Sequence, residues 1–206
     1  MKVVSLEPND SGRSVTVYFD NSRRISVSSE VAVKAGLKVG QTLDRKALAD
    51  LRTADRLEKA LETAYRYLEY RPRSEKEVRD RLRRGGYSGS IISRVVVELR
   101  RGNLIDDRSF SRWWCEGRAT GSPRGKRLIM RELQARGVDR KTAEEAVDGL
   151  DDEAAAYEIG RKKARSLVGL DSAAFREKLG SYLHRRGFDY EVVTATVKRV
   201  WRELSS

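Results

Sequence analysis

The amino-acid sequence predicts a mainly α protein: three tandem three-helix repeats stacked into an elongated, curved array, preceded by a small β-rich N-terminal module. Three observations carry this. The apolar period changes from two residues to about 3.6 near residue 52. A stretch of roughly fifty residues then recurs along the rest of the chain. Finally, the 206 residues include only 3 Pro, and Leu, Ala, Glu, Arg and Lys are plentiful, a mixture that favours helix. A 39% apolar share beside 36% charged residues suits many thin amphipathic elements better than one deep core.

The N-terminal module spans residues 1–52. Val15, Val17 and Phe19 alternate with Ser14, Thr16 and Tyr18, as in a half-buried strand. Asp20, Asn21 and Ser22 supply turn chemistry and Ile25 and Val27 alternate again, so residues 14–28 form a hairpin. Residues 3–7 add a third strand. EVAVKAGL is a short helix that Gly36 ends, and LKVGQTL is a further extended piece. From Asp44 onward the helical period takes over, and Leu57, Ala60, Leu61, Ala64, Tyr65 and Leu68 lie on one stripe.

The repeats follow as residues 53–106, 107–150 and 151–206. A shift of 51 places Pro72 on Pro123, Arg73 on Arg124, Leu82 on Leu133, Gly86 on Gly137 and Tyr87 on Val138. A further shift of 50 brings Leu183, Gly187 and Phe188 onto the same positions. Each repeat is therefore helix, helix, a turn of Gly plus an apolar or aromatic residue, and a third helix. The Gly closes the second helix in the left-handed conformation. Ser88 or Ser90, Asp139 and Asp189 start the third helices as caps. Asp106 and Asp107 read as a cap and a dipole partner for the helix that follows. Phe110, Trp113 and Trp114 are expected in the core rather than as exposed base-stacking rings.

No catalytic or metal-binding pattern is present: there is no GxxxxGK[ST], GxSxG, HExxH or CxxC. Cys115 is the only cysteine and His184 the only histidine, too few for a disulfide or a structural zinc site. Cys115 is expected buried and inert, and His184 at the surface. We expect no enzyme activity and no cofactor. No signal peptide or membrane span is expected, so the chain is placed in the cytoplasm. The formal net charge of +12 points to an anionic partner, nucleic acid or an acidic protein surface. From Arg71 to Arg84 seven basic residues face three acidic ones, and from Arg118 to Arg136 six face Glu132 alone. The candidate contacts are Arg71, Arg73, Arg79, Arg83, Arg124, Lys126, Arg127 and Arg131, aligned by stacking into a basic stripe.

RPRSEKEVRDRL and GNLIDDRSFSRWWCEGRATGSPRGKRLIMRELQARGV (102–138) resemble the RecX family of RecA regulators. The resemblance rests on Gly102, Leu104, Asp106, Asp107 and Phe110, on the RxxG turn from Arg118, and on Pro123, Arg124, Ile129, Arg136 and Gly137, and it covers about residues 55–203. It implies a non-enzymatic modulator, expected as a monomer. Such a protein lodges in the groove of the RecA–single-stranded DNA filament and restrains its growth, ATP hydrolysis and strand exchange. It would touch single- or double-stranded DNA without strong sequence preference. Two alternatives stand beside it. In the first, SEKEVRDRLRRGGYSGSIISRVVVELRRGNLI is a winged helix-turn-helix that reads a DNA sequence, with RGNLI entering the wing. In the second, the chain is a plain helical scaffold for another protein.

Overall fold

The computed structural model describes residues 1–119 and 123–205. Residues 120–122, on which part of the predicted RxxG turn and the Ser122 end of the internal repeat fall, lie outside the described residues. Three strands come first: β1 (Val3–Pro8), β2 (Ser14–Phe19) and β3 (Arg24–Ser28). They form an antiparallel sheet in the order β1-β2-β3. The hairpin pairs Val15 with Val27 and Val17 with Ile25. The alternation places Val17, Phe19 and Val27 in the core. Helix α1 (Ser29–Lys34) is capped by Ser28, whose side chain accepts from the Val31 amide. The predicted extended piece over LKVGQTL is not a strand. Only a single bridge, Lys2 to Thr42, pairs there, and Gly40 turns the chain with φ +87° so that Leu43 reaches the core.

Helix α2 (Arg45–Leu68) runs without interruption through residue 52. Its first turns serve the sheet: Leu48 and Leu51 close the core formed by Val3, Val17, Phe19 and Val31. Asp55, buried at 7% exposure, accepts from the Ser28 amide at 2.7 Å and from Lys59 at 2.7 Å. The strand-to-helix corner thereby keeps its backbone donor satisfied. Along the later stripe Ala60 and Ala64 are fully buried, whereas Tyr65 is exposed.

The remaining helices are α3 (Glu75–Arg84), α4 (Gly89–Arg101), α5 (Asp107–Ala119), α6 (Lys126–Ala135), α7 (Arg140–Val147), α8 (Asp152–Ala164), α9 (Ser172–Arg185) and α10 (Tyr190–Ser205). A single 3-10 turn, Arg165–Leu167, follows α8. The chain divides into two compact units, Met1–Arg71 with Val78–Leu104, and Pro72–Glu77 with Ile105–Ser206. In the first unit α4 buries Ile91, Ile92, Val95, Val96 and Leu99. In the second, one core gathers Phe110, Trp114, Ile129, Leu133 and Val147, and another gathers Ile159, Phe175, Leu179, Phe188 and Val200. Phe110 and Trp114 of α5 are thus interior, their rings 5.9 Å apart, and Trp113 is half-buried against the same core. Cys115 is also buried, and burial pushes its thiol pKa up, which keeps it protonated and unreactive.

The three glycine turns form as expected. Val138 and Phe188, which follow Gly137 and Gly187, donate back to Leu133 and Leu183, the six-residue closure that satisfies the last helical carbonyls. Asp139 caps α7 through the Thr142 amide. Ser88 occupies the cap position of α4 but makes no side-chain cap bond; its hydroxyl meets that of Ser90 at 3.1 Å. The wing expected after α4 is absent. Among the described residues no strand follows Ser28, and residues 102–106 lead directly into α5.

Asp106 caps α5 by accepting from the Ser109 and Arg108 amides. The Ser109 hydroxyl and amide hold its carboxyl below the ordinary range. Its contribution is therefore complete above the unfolded carboxyl pKa, about 3.9, and is lost as pH falls through the lower folded value. Asp106→Ala should cost about 1 kcal/mol at neutral pH, and the gap in melting temperature from the unaltered chain should narrow as pH falls below the ordinary carboxyl range.

Candidate functional site

Two pairs of adjacent aspartates organise the second unit. Asp106 and Asp151 each cap their own helix, α5 and α8. The next residue in each pair reaches backwards. Asp107 accepts from the Glu75 amide at 2.9 Å, at the start of α3. Asp152 accepts from the Lys126 amide at 3.0 Å, at the start of α6. The residues just before those helices complete the pattern. The Ser74 hydroxyl donates to the Arg136 carbonyl at 2.7 Å, and the Gly125 amide donates to the Arg186 carbonyl at 2.9 Å. The N-terminus of a second helix is thus held twice by the glycine turn and the leading aspartate of the repeat that follows. Orphan amides at a helix start favour a carboxylate there. Burial pushes the Asp152 carboxyl up, an effect opposed by the Lys126 amide and ammonium.

The basic stretch of the second repeat folds around Glu132. Its carboxylate, 14% exposed, accepts from Trp114 Nε1 at 2.8 Å and from Arg118 Nε at 2.9 Å, and it pairs with Arg124. The Arg118 and Arg136 guanidiniums lie over the Trp114 ring, 4.3 and 3.7 Å from its centre. Arg136 also donates to the Glu132 carbonyl. Burial, then the guanidiniums of Arg118, Arg186 and Arg136, hold the Arg124 pKa below the ordinary arginine value. Two arginines therefore share one carboxylate, with the charges of Arg136 and Arg186 acting on Arg124, a strongly positive and half-desolvated neighbourhood.

The eight predicted contacts fall in different settings. Arg71, Arg79 and Arg83 belong to the first unit, and Arg73, Arg124, Lys126, Arg127 and Arg131 to the second. Arg71, Arg73 and Arg79 are half-buried and already engaged within the chain. Arg83 is exposed and pairs with Asp80. Arg124 is tied to Glu132. Lys126 donates through Nζ to the Asp148 carbonyl at 2.8 Å. Arg127 meets His184 Nε2 at 3.2 Å and Asp189 at 3.9 Å. Arg131 is exposed. Sequence reasoning missed the second role of Asp107, the whole role of Asp152 and the partnership of His184 with Arg127. The recurring Asp-Asp pair was the available signal for the first two. Among the described residues, no group of three or more His, Cys, Asp or Glu is placed to hold a metal, and no helix is long and apolar enough to cross a membrane.

Tandem three-helix modules, with recurring Gly and Asp fittings at their second helices and clustered cations, define a basic helical-repeat protein. The chain belongs to the RecX family. Sequence patterns described as the first, second and third three-helix domains of RecX match residues 60–99, 106–147 and 151–197. The chain is 30% identical to the regulatory protein RecX of Geobacillus kaustophilus over 200 residues, covering 95% of this chain and 74% of that one. It is 28% identical to that of Clostridium botulinum strain Alaska E43 over 203 residues, covering 96% and 95%. A crystal structure of regulatory protein RecX shares the fold, with a TM-score of 0.76 at 23% identity over 95% of this chain and 98% of that one. RecX from Lactobacillus salivarius superposes with a TM-score of 0.66 at 25% identity, over 71% and 97%.

Proposed function

We propose that this protein regulates the RecA recombinase in the cytoplasm, as a monomer and without catalysing a reaction of its own. It lodges in the groove of the RecA–single-stranded DNA filament and restrains filament growth, ATP hydrolysis and strand exchange, in DNA repair and the SOS response. Membership of the RecX family over almost the whole chain is the observation that carries this reading. The charge of +12 supports an anionic partner, and DNA contacts would be to phosphate, with little sequence preference. Loss of the wing removes the main support for a sequence reader. Tandem repeats would each supply modest contacts, and those contacts would add through effective concentration.

Arg71, Arg73, Arg79, Arg83, Arg124, Lys126, Arg127 and Arg131 remain the proposed contacts. Arg83 and Arg131 suit a test, because both are exposed and neither supports a core. The unaltered protein should inhibit ATP hydrolysis by RecA on single-stranded DNA. Arg83→Glu with Arg131→Glu should raise the concentration needed for half inhibition by about three- to tenfold, with an unchanged melting temperature. Equal inhibition by that variant removes these two contacts. No effect of the unaltered protein on RecA removes the reading.

A further inference from the structure

The third repeat carries a feature that the eight contacts do not include. A groove of about 730 Å³ runs between α9 and α10, a volume in the range that encloses small organic ligands. Val193 and Val197 form part of its floor, and Gly180 leaves the floor open by contributing no side chain. Tyr190 stands at its side with 78% of its surface exposed. Three cations line it, Arg176, Arg185 and Lys198, against the single carboxylate of Glu177.

Those three cations differ from the arginines elsewhere in the chain that internal carboxylates hold. Arg83, Arg108, Arg118, Arg124, Arg127, Arg140 and Arg199 each pair with a carboxylate. Among the described residues, Arg176, Arg185 and Lys198 pair with none. An excess of unpaired positive charge around a partly apolar cleft is complementary to a polyanion that also carries flat apolar groups. Single-stranded nucleic acid has that composition, with phosphates for the cations and base faces for an aromatic ring. An acidic peptide would meet the cations but would leave Tyr190 and the valine floor without a matching surface.

The geometry points to this groove as a seat for single-stranded DNA, with a base stacked on Tyr190 and the backbone held by Arg176, Arg185 and Lys198. Arg176 and Arg185 lie nine positions apart on α9, roughly 13 Å along the helix. That length spans about four stacked nucleotides at roughly 3.4 Å each. The seat gives a place to the DNA contact in the reading above and rests on it only in that respect. Binding to DNA alone, without RecA, is its readout, so the two can fail separately.

The test uses the full chain and a short fluorescent oligothymidylate, with binding followed by anisotropy over a range of salt. Tyr190→Ala should weaken binding at least about fivefold, while Tyr190→Phe should retain it. Arg185→Gln and Lys198→Gln should each reduce the slope of log affinity against log salt by about 0.7. Because all three side chains lie at the surface of the groove, melting temperatures should stay unchanged. Any of the following overturns the proposal: no binding by the unaltered chain, undiminished binding by Tyr190→Ala, equal loss in Tyr190→Phe, or displacement by polyglutamate as effective as by unlabelled oligothymidylate. The last outcome would assign the groove to an acidic peptide.

Discussion

Gly187→Ala is expected to lower the stability of the second unit by about 2–4 kcal/mol, the sum of a left-handed backbone cost and an overpacking cost. Gly187 has φ +91°, where an L side chain is strained. A Cβ there would lie 2.3 Å from Leu128 Cβ and 2.7 Å from the Leu128 amide nitrogen. The second atom is backbone, at the start of α6, and cannot rotate away. The opposing residue is equally constrained, since a Cβ at Gly125 would lie 2.3 Å from the Gly187 carbonyl oxygen. Two main chains meet here with no side chain between them, and the Gly125 amide bond to Arg186 depends on that approach. In thermal denaturation the midpoint should fall by roughly 10 °C or more. Gly149→Ala is the matched control, because a Cβ there meets nothing within 4 Å, and its midpoint should hold. If Gly187→Ala melts with the control, the close approach relaxes without cost and the joint is not the constraint described.

Glu132→Ala should cost a similar amount, about 2–4 kcal/mol, for an electrostatic reason. Its carboxylate is the shared acceptor for Trp114 Nε1, Arg118 and Arg124. Removing it leaves an indole N–H and guanidiniums half-desolvated without their counter-charge. Breaking a buried pair costs about 3–5 kcal/mol, and the partial exposure of both arginines reduces that figure. Glu132→Gln should fall between, since an amide oxygen still accepts from Trp114 but carries no charge. Arg124→Ala should cost less than Glu132→Ala, because it removes one of the two paired cations instead of their shared anion. Urea unfolding at low salt orders the three variants. Added phosphate should stabilise Glu132→Ala more than the unaltered chain, by supplying an anion to the same guanidiniums. Equal stability of Glu132→Ala and Arg124→Ala would mean that the cluster is screened by solvent.

These two sites differ in how far the linear chain announces them. The glycines at 86, 137 and 187 recur at the same place in an apolar pattern, so their turns were readable. The use of Gly137 and Gly187 as a landing surface for the preceding repeat was not, because the partners are far apart in sequence: Gly125 and Gly187 are 62 positions apart. The basic composition around Glu132 was plain, and it suggested outward-facing contacts. In the structure, Arg124 pairs with that single acid, and Trp114 and Arg118 tie α5 to α6 through it. Arg127 and Lys126 likewise spend part of their bonding on His184 and Asp148. Conversely, Tyr190, Arg176 and Lys198 stand in no basic run, and only the packing of α9 against α10 gathers them around one groove.

Local physics accounts for what could be read from residue order: period-two alternation made the hairpin, 3.6-residue stripes made the helices, and the left-handed glycines at 86, 137 and 187 each ended one. Those effects act between residues a few positions apart, so their pattern is written along the chain. Which cations are consumed by internal partners, and which aspartate reaches a neighbouring helix, depends on distances between residues far apart in sequence. Packing alone brings those charges within hydrogen-bonding range, and it therefore decided which positive side chains support the fold and which remain for a partner.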